Sequence, residues 1–458
     1  MTTGIRPWRA LLVLCVANFL VLLDTTIVNT AVPDVMGDLD VGLGQILWVL
    51  NGYLLAFACL LIVFGRLGDM IGPRTLFIGG LAVFTIASIL CGLSTTAEEL
   101  IAARILQGVG AAMLSPQAIV LISAIFPADR RGAAFGIFTA VAGIAAVSGP
   151  TLGGLLVTEF GWQSVFYLNL PAGLAGILLA TRMVLDLRPG RRHRFDTVGV
   201  LLATTALLGF VYGLIEHRGP LIFVVSAALL MAFLLWEERQ PEPLIPFGLY
   251  RDRDYSIATV LTLIVSFSIS GFLLLYVIET QTLLGMSPLA SGISGLPWTL
   301  TLSAVAPVAG RLADRVGGRV LLIAGLAVYA AGVAGIALVS TSSSTAGTFV
   351  LPLIAIGVGQ GLAIAPATTE AMRHIPPGHA GAASGVLNTA RHVGTVLGAA
   401  VVGVLLQGDR TLAGADRATM VVAAVVLAGS VLAFGMSRRA NKVPNVTERR
   451  PVRTGAQV

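Results

Sequence analysis

The chain has 458 residues, of which 56% are hydrophobic and 11% are charged, and its formal net charge is +6. A soluble globular domain carries about 25% charged residues, so this composition excludes a water-soluble protein of this size and indicates one that folds in lipid. The positive balance does not indicate nucleic-acid binding, because the charges stand in short clusters between long apolar runs.

Fourteen apolar runs approach or exceed the length of about 20 residues that a membrane-spanning helix needs. The first run continues through Asp24 and has no small-residue cleavage site, so it predicts a spanning helix and not a signal peptide. The seventh and eighth runs are separated only by residues 216–218. The predicted fold class is therefore an all-α polytopic membrane protein. In chain order the runs are 9–32, 45–65, 75–94, 99–126, 133–157, 163–185, 197–216, 219–236, 256–279, 289–309, 320–340, 348–372, 382–406 and 418–437.

The arginines indicate how these spans are oriented. Segments on one side of the predicted membrane carry most of the basic residues, whereas segments on the other side carry only Arg218, Arg410 and Arg417. Cytoplasmic loops retain positive residues, so we expect the N-terminus inside. An even number of spans then returns the basic C-terminal tail to the cytoplasm. The expected location is the plasma membrane, with both termini cytoplasmic.

An internal repeat divides the chain into two related parts. The segment 65–74 reads GRLGDMIGPR and recurs at 310–319 as GRLADRVGGR, with six of ten positions identical. Two parallel six-helix halves with a substrate path near the midplane are a transporter architecture. The expected division is an N-terminal half at 1–188, two inserted helices at 189–250, a C-terminal half at 251–440 and a basic tail at 441–458.

One acidic residue, Asp24, lies deep inside a run, whereas Glu279 and Glu370 lie near run ends. Charge in the bilayer core is expensive and usually functional. Asp24 and Arg104 fall at similar depths on helices of opposite direction, so we expect them to face one cavity and to form the proton-coupling pair. Arg104 would lower the proton affinity of Asp24 and desolvation would raise it. A static ion pair that fixes the two helices together is the alternative.

Arg391 and His392 stand in the middle of the thirteenth run. Arg391 has two open roles, since it can neutralise an anionic substrate with Asn388 and Gln360 nearby, or clamp backbone carbonyls. A lone histidine is usually structural, although its ordinary pKa lies near 6.5.

The repeated loops are interpreted as conformational switches. Their glycines would permit tight turns between spans, and their aspartates would cap a helix or pair with arginines in one state only. A simple topology signal is the alternative, although such a signal needs no acid. The switch residues are Gly65, Asp69, Gly72, Arg74, Gly310, Asp314, Gly317 and Arg319.

The fifth run is rich in glycine and contains one proline. Glycines at this spacing let helices approach closely, and Pro150 interrupts the helical hydrogen-bond ladder. Gly149, Pro150, Gly153 and Gly154 are therefore expected to form a watertight seam that suppresses leak.

The sequence gives no indication of an enzyme or of a cofactor. It contains no nucleotide-binding P-loop, no HExxH motif and no extramembrane Ser/His/Asp set. Cys15, Cys59 and Cys91 lie in apolar runs and indicate neither a disulfide framework nor a metal site. The expected energy source is an ion gradient.

Several ordered motifs resemble the major facilitator superfamily, and specifically its fourteen-helix drug:proton antiporter branch. They are LDTTIVNTAVP at 23–33, the loop at 65–74, the Arg104 motif at 100–112, GPTLGG at 149–154, and the strings at 162–173 and 285–292. Met70 and Pro73 depart from the pattern, because basic residues are usual there. The resemblance implies proton-driven efflux of amphiphilic drugs, with Asp24 and Arg104 as coupling residues and GPTLGG as an exporter motif.

We therefore predict a proton-coupled exporter of small amphiphilic drugs or antibiotics that works by alternating access. Its partners would be the lipid bilayer, the substrate and protons, and we expect a monomer. The open alternatives are an exporter of one endogenous metabolite, lipid or siderophore, an uptake symporter, and a non-transporting sensor or scaffold. The predicted substrate-cavity residues are Asn29, Asn51, Tyr53, Gln107, Gln117, Tyr276, Trp298, Gln360, Asn388 and Arg391.

Overall fold

The computed structural model describes residues 7–184, 196–216, 219–240, 247–373, 375, 380–409 and 411–437. Within these ranges every regular element is a helix, as expected where lipid leaves backbone groups no water to bond. Thirteen of the described helical segments are long and apolar enough to cross a membrane. The all-helical prediction is therefore confirmed, and the chain is a multi-pass membrane protein.

The first part of the chain forms eight α-helices, of which two are short. The break between α7 and α8 falls at Leu168, inside the sixth apolar run. The helices are α1 (Pro7–Thr30), α2 (Val32–Asp38), α3 (Leu43–Ile71), α4 (Pro73–Leu93), α5 (Ala97–Ile125), α6 (Ala128–Phe160), α7 (Ser164–Tyr167) and α8 (Asn169–Met183).

The second part begins with two separate helices, as the sequence predicted, and continues with seven more. The described part of the chain ends three residues beyond α10, at Gln240, and resumes at Phe247. The helices are α9 (Thr197–Ile215), α10 (Pro220–Glu237), α11 (Arg253–Val277), α12 (Pro288–Ser294), α13 (Leu296–Val316), α14 (Gly318–Val339), α15 (Val350–Met372), α16 (Ala380–Gly408) and α17 (Leu412–Ala433). A π-helical turn at Ile278–Leu283 extends α11.

Equivalent helix pairs pack together in the two parts of the chain. The helix α1 packs on α6 as α11 packs on α16, α4 packs on α5 as α14 packs on α15, and α3 packs on α5 as α13 packs on α15. The helix α9 contacts both α3 and α16, so it lies where the two parts of the chain meet.

The two parts touch mainly at one end of the bundle, which we call the sealed end. There α6 packs on α12 so closely that a Cβ on Gly154 would lie 2.4 Å from the Pro288 carbonyl oxygen, and one on Gly292 would lie 2.4 Å from that of Pro150. The Gln281 amide also donates to the Thr30 carbonyl at 3.3 Å. Two backbones approach so closely only where no side chain lies between them. Gly154 lies at this contact, whereas Gly149 and Gly153 pack on Thr26 and Thr30 of α1, so the watertight seam stays a prediction.

The repeated loops differ in part from the prediction. Gly72 and Gly317 adopt φ values of 100° and 87° and form the turns between consecutive helices, which favours glycine. Gly65 and Gly310 lie inside α3 and α13, so the prediction that they form turns was wrong. One residue of positive φ suffices to end each helix, and the preceding segment stays helical.

The other loop residues hold helix ends. The Arg74 guanidinium donates to the Thr181 carbonyl of α8, and that of Arg319 donates to the Phe434 carbonyl at 2.8 Å. The side chains of Asp69 and Asp314 lie outside the described part. In the second repeat the helix-capping role belongs to Glu370, which accepts from the Gly318 backbone at 2.9 Å and pairs with Arg373.

Candidate functional site

Asp24 and Arg104 form a buried ion pair between α1 and α5. Arg104 Nη1 donates to Asp24 Oδ2 at 2.5 Å, and the exposed fractions of the two residues are 1% and 0%. The sequence placed both at one depth because α1 and α5 run in opposite directions, and the structure brings them together. Removing each charge from water costs on the order of several kcal/mol. Only good geometry and further hydrogen bonds offset a cost of that size.

The further hydrogen bonds come from α5 itself and from two more helices, α4 and α8. Gln107 and Asn169 donate to Asp24 Oδ1 at 2.9 and 3.2 Å, and both amides also donate to Ser88 Oγ. Every group that meets the Asp24 carboxylate is therefore a donor. Asn169 is placed by the break at Leu168, because it is the first residue of α8 and its side chain points back into the bundle.

The Arg104 guanidinium is satisfied on its other sides. Its Nη1 also reaches Gln107 Oε1 at 2.6 Å, and Nε donates to the Val49 carbonyl at 3.2 Å. The guanidinium carbon lies 4.3 Å from the ring centroid of Tyr53, an arrangement typical of a cation–π contact. The pair is thus enclosed by α3, α4, α5 and α8.

This enclosure differs from the expectation that the pair faces an open cavity. In the described conformation neither side chain reaches solvent, because the network fills the space between the helices. Sequence reasoning missed Ser88 and did not assign Asn169, and both are needed to close the network. In the sequence, each of the two could be recognised only as a polar residue inside an otherwise apolar stretch.

Four predicted cavity residues lie inside helix contacts instead. Tyr53 donates its hydroxyl to the Val21 carbonyl at 3.2 Å, and Gln107 belongs to the Asp24 network. Gln117 donates to the Phe64 carbonyl at 2.7 Å and clamps α5 to α3. Asn29 donates back into its own helix, to the carbonyls of Thr25 and Thr26. In this conformation these four are not placed on an open surface.

Tyr276 and Trp298 line a narrow cavity between the two parts, close to the sealed end, with Thr30 and Pro150. The Tyr276 hydroxyl lies 2.6 Å from Ser294 Oγ. Trp298 Nε1 donates to Gln360 Oε1 at 2.9 Å, which leaves the buried Gln360 Nε2 without a hydrogen-bond partner. The cavity is too narrow in this state to admit a drug-sized molecule, so contact of these residues with substrate stays a prediction.

Asn51 of α3 differs from the polar residues described above, because its side chain makes no hydrogen bond. Its side chain is fully buried, and both its amide nitrogen and its amide oxygen lack a hydrogen-bond partner. It lies one helical turn after Leu47, whose side chain a Cβ on Gly403 of α16 would touch. An unpaired amide in such a place costs about 1–3 kcal/mol.

Asn388 and Arg391 lie on α16, and solvent reaches both side chains. The ring of the next residue, His392, lies 4.3 Å from the Phe57 ring of α3. Arg391 is exposed and Asn388 is half-buried, although both lie mid-helix. We call the space beside these two side chains the chamber.

A model of the Major Facilitator Superfamily matches residues 14–399. The chain belongs to this superfamily. Its members are transporters and not enzymes, and the thirteen described spans agree with a multi-pass membrane transporter.

Three relatives within the superfamily are named as exporters or resistance proteins. The tetracenomycin C resistance and export protein of Streptomyces glaucescens is 36% identical over 410 residues, which cover 88% of this chain and 76% of the relative. The multidrug resistance protein Stp of Mycobacterium tuberculosis (strain ATCC 25618 / H37Rv) is 36% identical over 399 residues, 85% and 74% of the two chains. The methylenomycin A resistance protein of Streptomyces coelicolor is 33% identical over 439 residues, 93% and 91%.

Proposed function

We propose that this superfamily member exports small amphiphilic drugs or antibiotics in exchange for protons by alternating access. The observation that carries the proposal is the enclosed Asp24–Arg104 network, in which a single buried carboxylate accepts hydrogen bonds from three donors. A carboxylate in this setting changes the charge of the bundle when it takes up a proton, which is what coupling to a proton gradient requires. No cofactor is needed.

The route from the carboxylate to the sealed end is short. Two residues after Asp24, Thr26 lies against Gly149 of α6, where a Cβ would meet its hydroxyl at 2.0 Å. The same helix α6 packs on α12 through Gly154 at the sealed end. A shift of α1 on protonation of Asp24 would therefore displace α6 and loosen the seal.

We further propose fourteen spans, with α6 as the fourteenth beside the thirteen described above, arranged as two six-helix halves and the inserted pair α9–α10. The equivalent helix pairs of the two halves support this arrangement. With both termini cytoplasmic, the sealed end faces outward and the chamber faces the cytoplasm of a bacterial-type plasma membrane. A monomer contains both halves and is sufficient for alternating access.

The test is transport by proteoliposomes with an imposed pH gradient. Purified protein is reconstituted, and uptake of puromycin, methylenomycin A and ethidium is followed with and without a protonophore. Wild type should transport at least one probe, and the protonophore should abolish its accumulation. Asp24→Asn should abolish gradient-driven transport, whereas the matched control Asp40→Asn, at an exposed loop carboxylate, should retain it. Transport that survives in Asp24→Asn would refute the coupling role.

Export of one specific antibiotic is the second candidate function. Two relatives favour it, because each is named for resistance to a single compound, tetracenomycin C or methylenomycin A. A susceptibility panel in an efflux-deficient host separates the two: protection against one compound class indicates a dedicated exporter, and protection against several unrelated classes indicates a multidrug exporter.

A further inference from the structure

Arg391 lies on the face of α16 between the sides that meet α11 and α3. Gly394 and Gly398 of α16 pack on α11, and His392 faces α3. The inserted helix α9 covers the seam of α3 and α16 from the outside. The remaining face holds Asn388, Arg391 and Thr395, which lie at spacings of three and four residues and thus along one stripe.

The Arg391 guanidinium has no hydrogen-bond or ion-pair partner in the described part of the chain, and it is exposed although it lies in the middle of a spanning helix. The sequence left open whether it clamps backbone carbonyls, and the structure places none at bonding distance. Arg104, the other mid-span arginine described, donates from Nε and Nη1 to three partners. An unpaired guanidinium in a membrane protein is costly unless a cavity hydrates it or a ligand pairs with it.

Three buried acids of the described spans have partners elsewhere. Asp24 is paired with Arg104, Glu370 binds Arg373, and Glu279 accepts from Ser340 near the sealed end. The guanidinium of Arg391 contributes positive charge to the chamber. A cavity of one sign attracts ligands of the opposite sign and repels those of its own.

We propose that Arg391 binds an acidic group of the exported substrate, so that the chamber selects amphiphiles carrying a carboxylate or an acidic phenol over cationic ones. A guanidinium offers planar paired donors that match a carboxylate, and such charge-assisted bonds are strong. The Asn388 amide on the same stripe is placed to bond a neighbouring polar group. This inference rests on the proposed export function and specifies its substrate class.

The test is equilibrium binding to the purified full-length protein in a neutral detergent. The probes are anthracene-9-carboxylate, its uncharged methyl ester and 9-(aminomethyl)anthracene, followed by fluorescence anisotropy. Hydrogen bonds to a charged group contribute about 1.5–3 kcal/mol, so the carboxylate should bind roughly tenfold to a hundredfold more tightly than the ester. The ammonium probe should bind most weakly.

Variants assign the preference to one side chain. Arg391→Gln should bind the acid and the ester equally, Arg391→Glu should prefer the ammonium probe, and Arg391→Lys should retain part of the acid preference. Arg417→Gln removes an exposed arginine outside the chamber and should behave as wild type. Gel filtration and thermal unfolding of each variant check that the fold is kept.

Three results would overturn the proposal: no binding of the carboxylate by wild type, equal binding of acid and ester, or an acid preference that persists in Arg391→Gln. These outcomes are separate from the export function. Wild type that transports puromycin in a gradient-dependent way and fails this binding test would remain a proton-coupled exporter with a different substrate class.

Discussion

Replacement of Asp24 by asparagine should destabilise the fold, because no orientation of the new amide suits its neighbours. One carboxylate oxygen accepts from Arg104 and the other from Gln107 and Asn169. An asparagine must turn its NH₂ group toward one of these donors, and it leaves the buried guanidinium without a counter-charge. Breaking a buried ion pair by removing one partner costs about 3–5 kcal/mol.

The expected change in melting temperature follows from the size of the chain. An unfolding entropy of about 2.1 cal/mol/K per residue gives roughly 1 °C per kcal/mol for a chain of this length, so Asp24→Asn should lower the melting temperature by about 3–5 °C. Cys15 and Cys91 are buried free thiols, so a thiol-reactive fluorophore reports unfolding in detergent directly.

The double variant Asp24→Asn/Arg104→Gln decides whether the loss comes from the pair. Because it removes both charges, it should be more stable than the sum of the two single losses predicts, by about 0.5–3 kcal/mol. A melting temperature of Asp24→Asn equal to that of wild type, or strictly additive losses in the double variant, would refute the reasoning.

Two further predictions concern the sealed end. Asn51→Leu removes the unpaired buried amide, so it should raise the melting temperature by about 1–3 °C and slow transport by favouring the sealed state. The control Asn169→Leu breaks bonds to Asp24 and should lower the melting temperature. A raised melting temperature of Asn169→Leu would contradict the argument. Gly154→Ala should impair transport or make vesicles leak protons, because the added methyl group meets the facing backbone. Gly143→Ala, where a Cβ meets nothing within 4 Å, should transport normally. Equal activity of the two variants would show that the close approach has no part in the mechanism.

The sequence predicted the helices well and their interruptions poorly. The length of an apolar run indicates how many residues lie within the lipid bilayer. The bounds of spans such as α4 and α14 were therefore predicted to within a few residues. The breaks at Leu168 and Gly295 lie inside apolar runs, where hydropathy does not change, and the π-helical turn at Ile278–Leu283 continues α11 into the polar residues beyond its run. They depend on local backbone geometry and on packing between helices.

The candidate site was predictable only in its charges. Asp24 and Arg104 could be placed at one depth because helix direction and residue count fix depth. Ser88 and Asn169 could not, because their contacts depend on how four helices cross. The same limit explains Gln117, since a polar residue in an apolar run does not reveal whether it faces a chamber or a neighbouring backbone carbonyl.

The described conformation separates the two candidate ligand sites. Arg391 is exposed while Asp24 is enclosed, so in this state solvent reaches the proposed substrate-binding arginine and does not reach the carboxylate. We expect that water reaches Asp24 through a shift of α1. Such a shift would carry α6 with it, because Thr26 lies against Gly149. Since α6 also forms the seal through Gly154, access of protons to the carboxylate and opening of the sealed end would be one movement. An exporter built in this way exchanges its proton only when the opposite side is exposed, which is the condition that tight coupling requires.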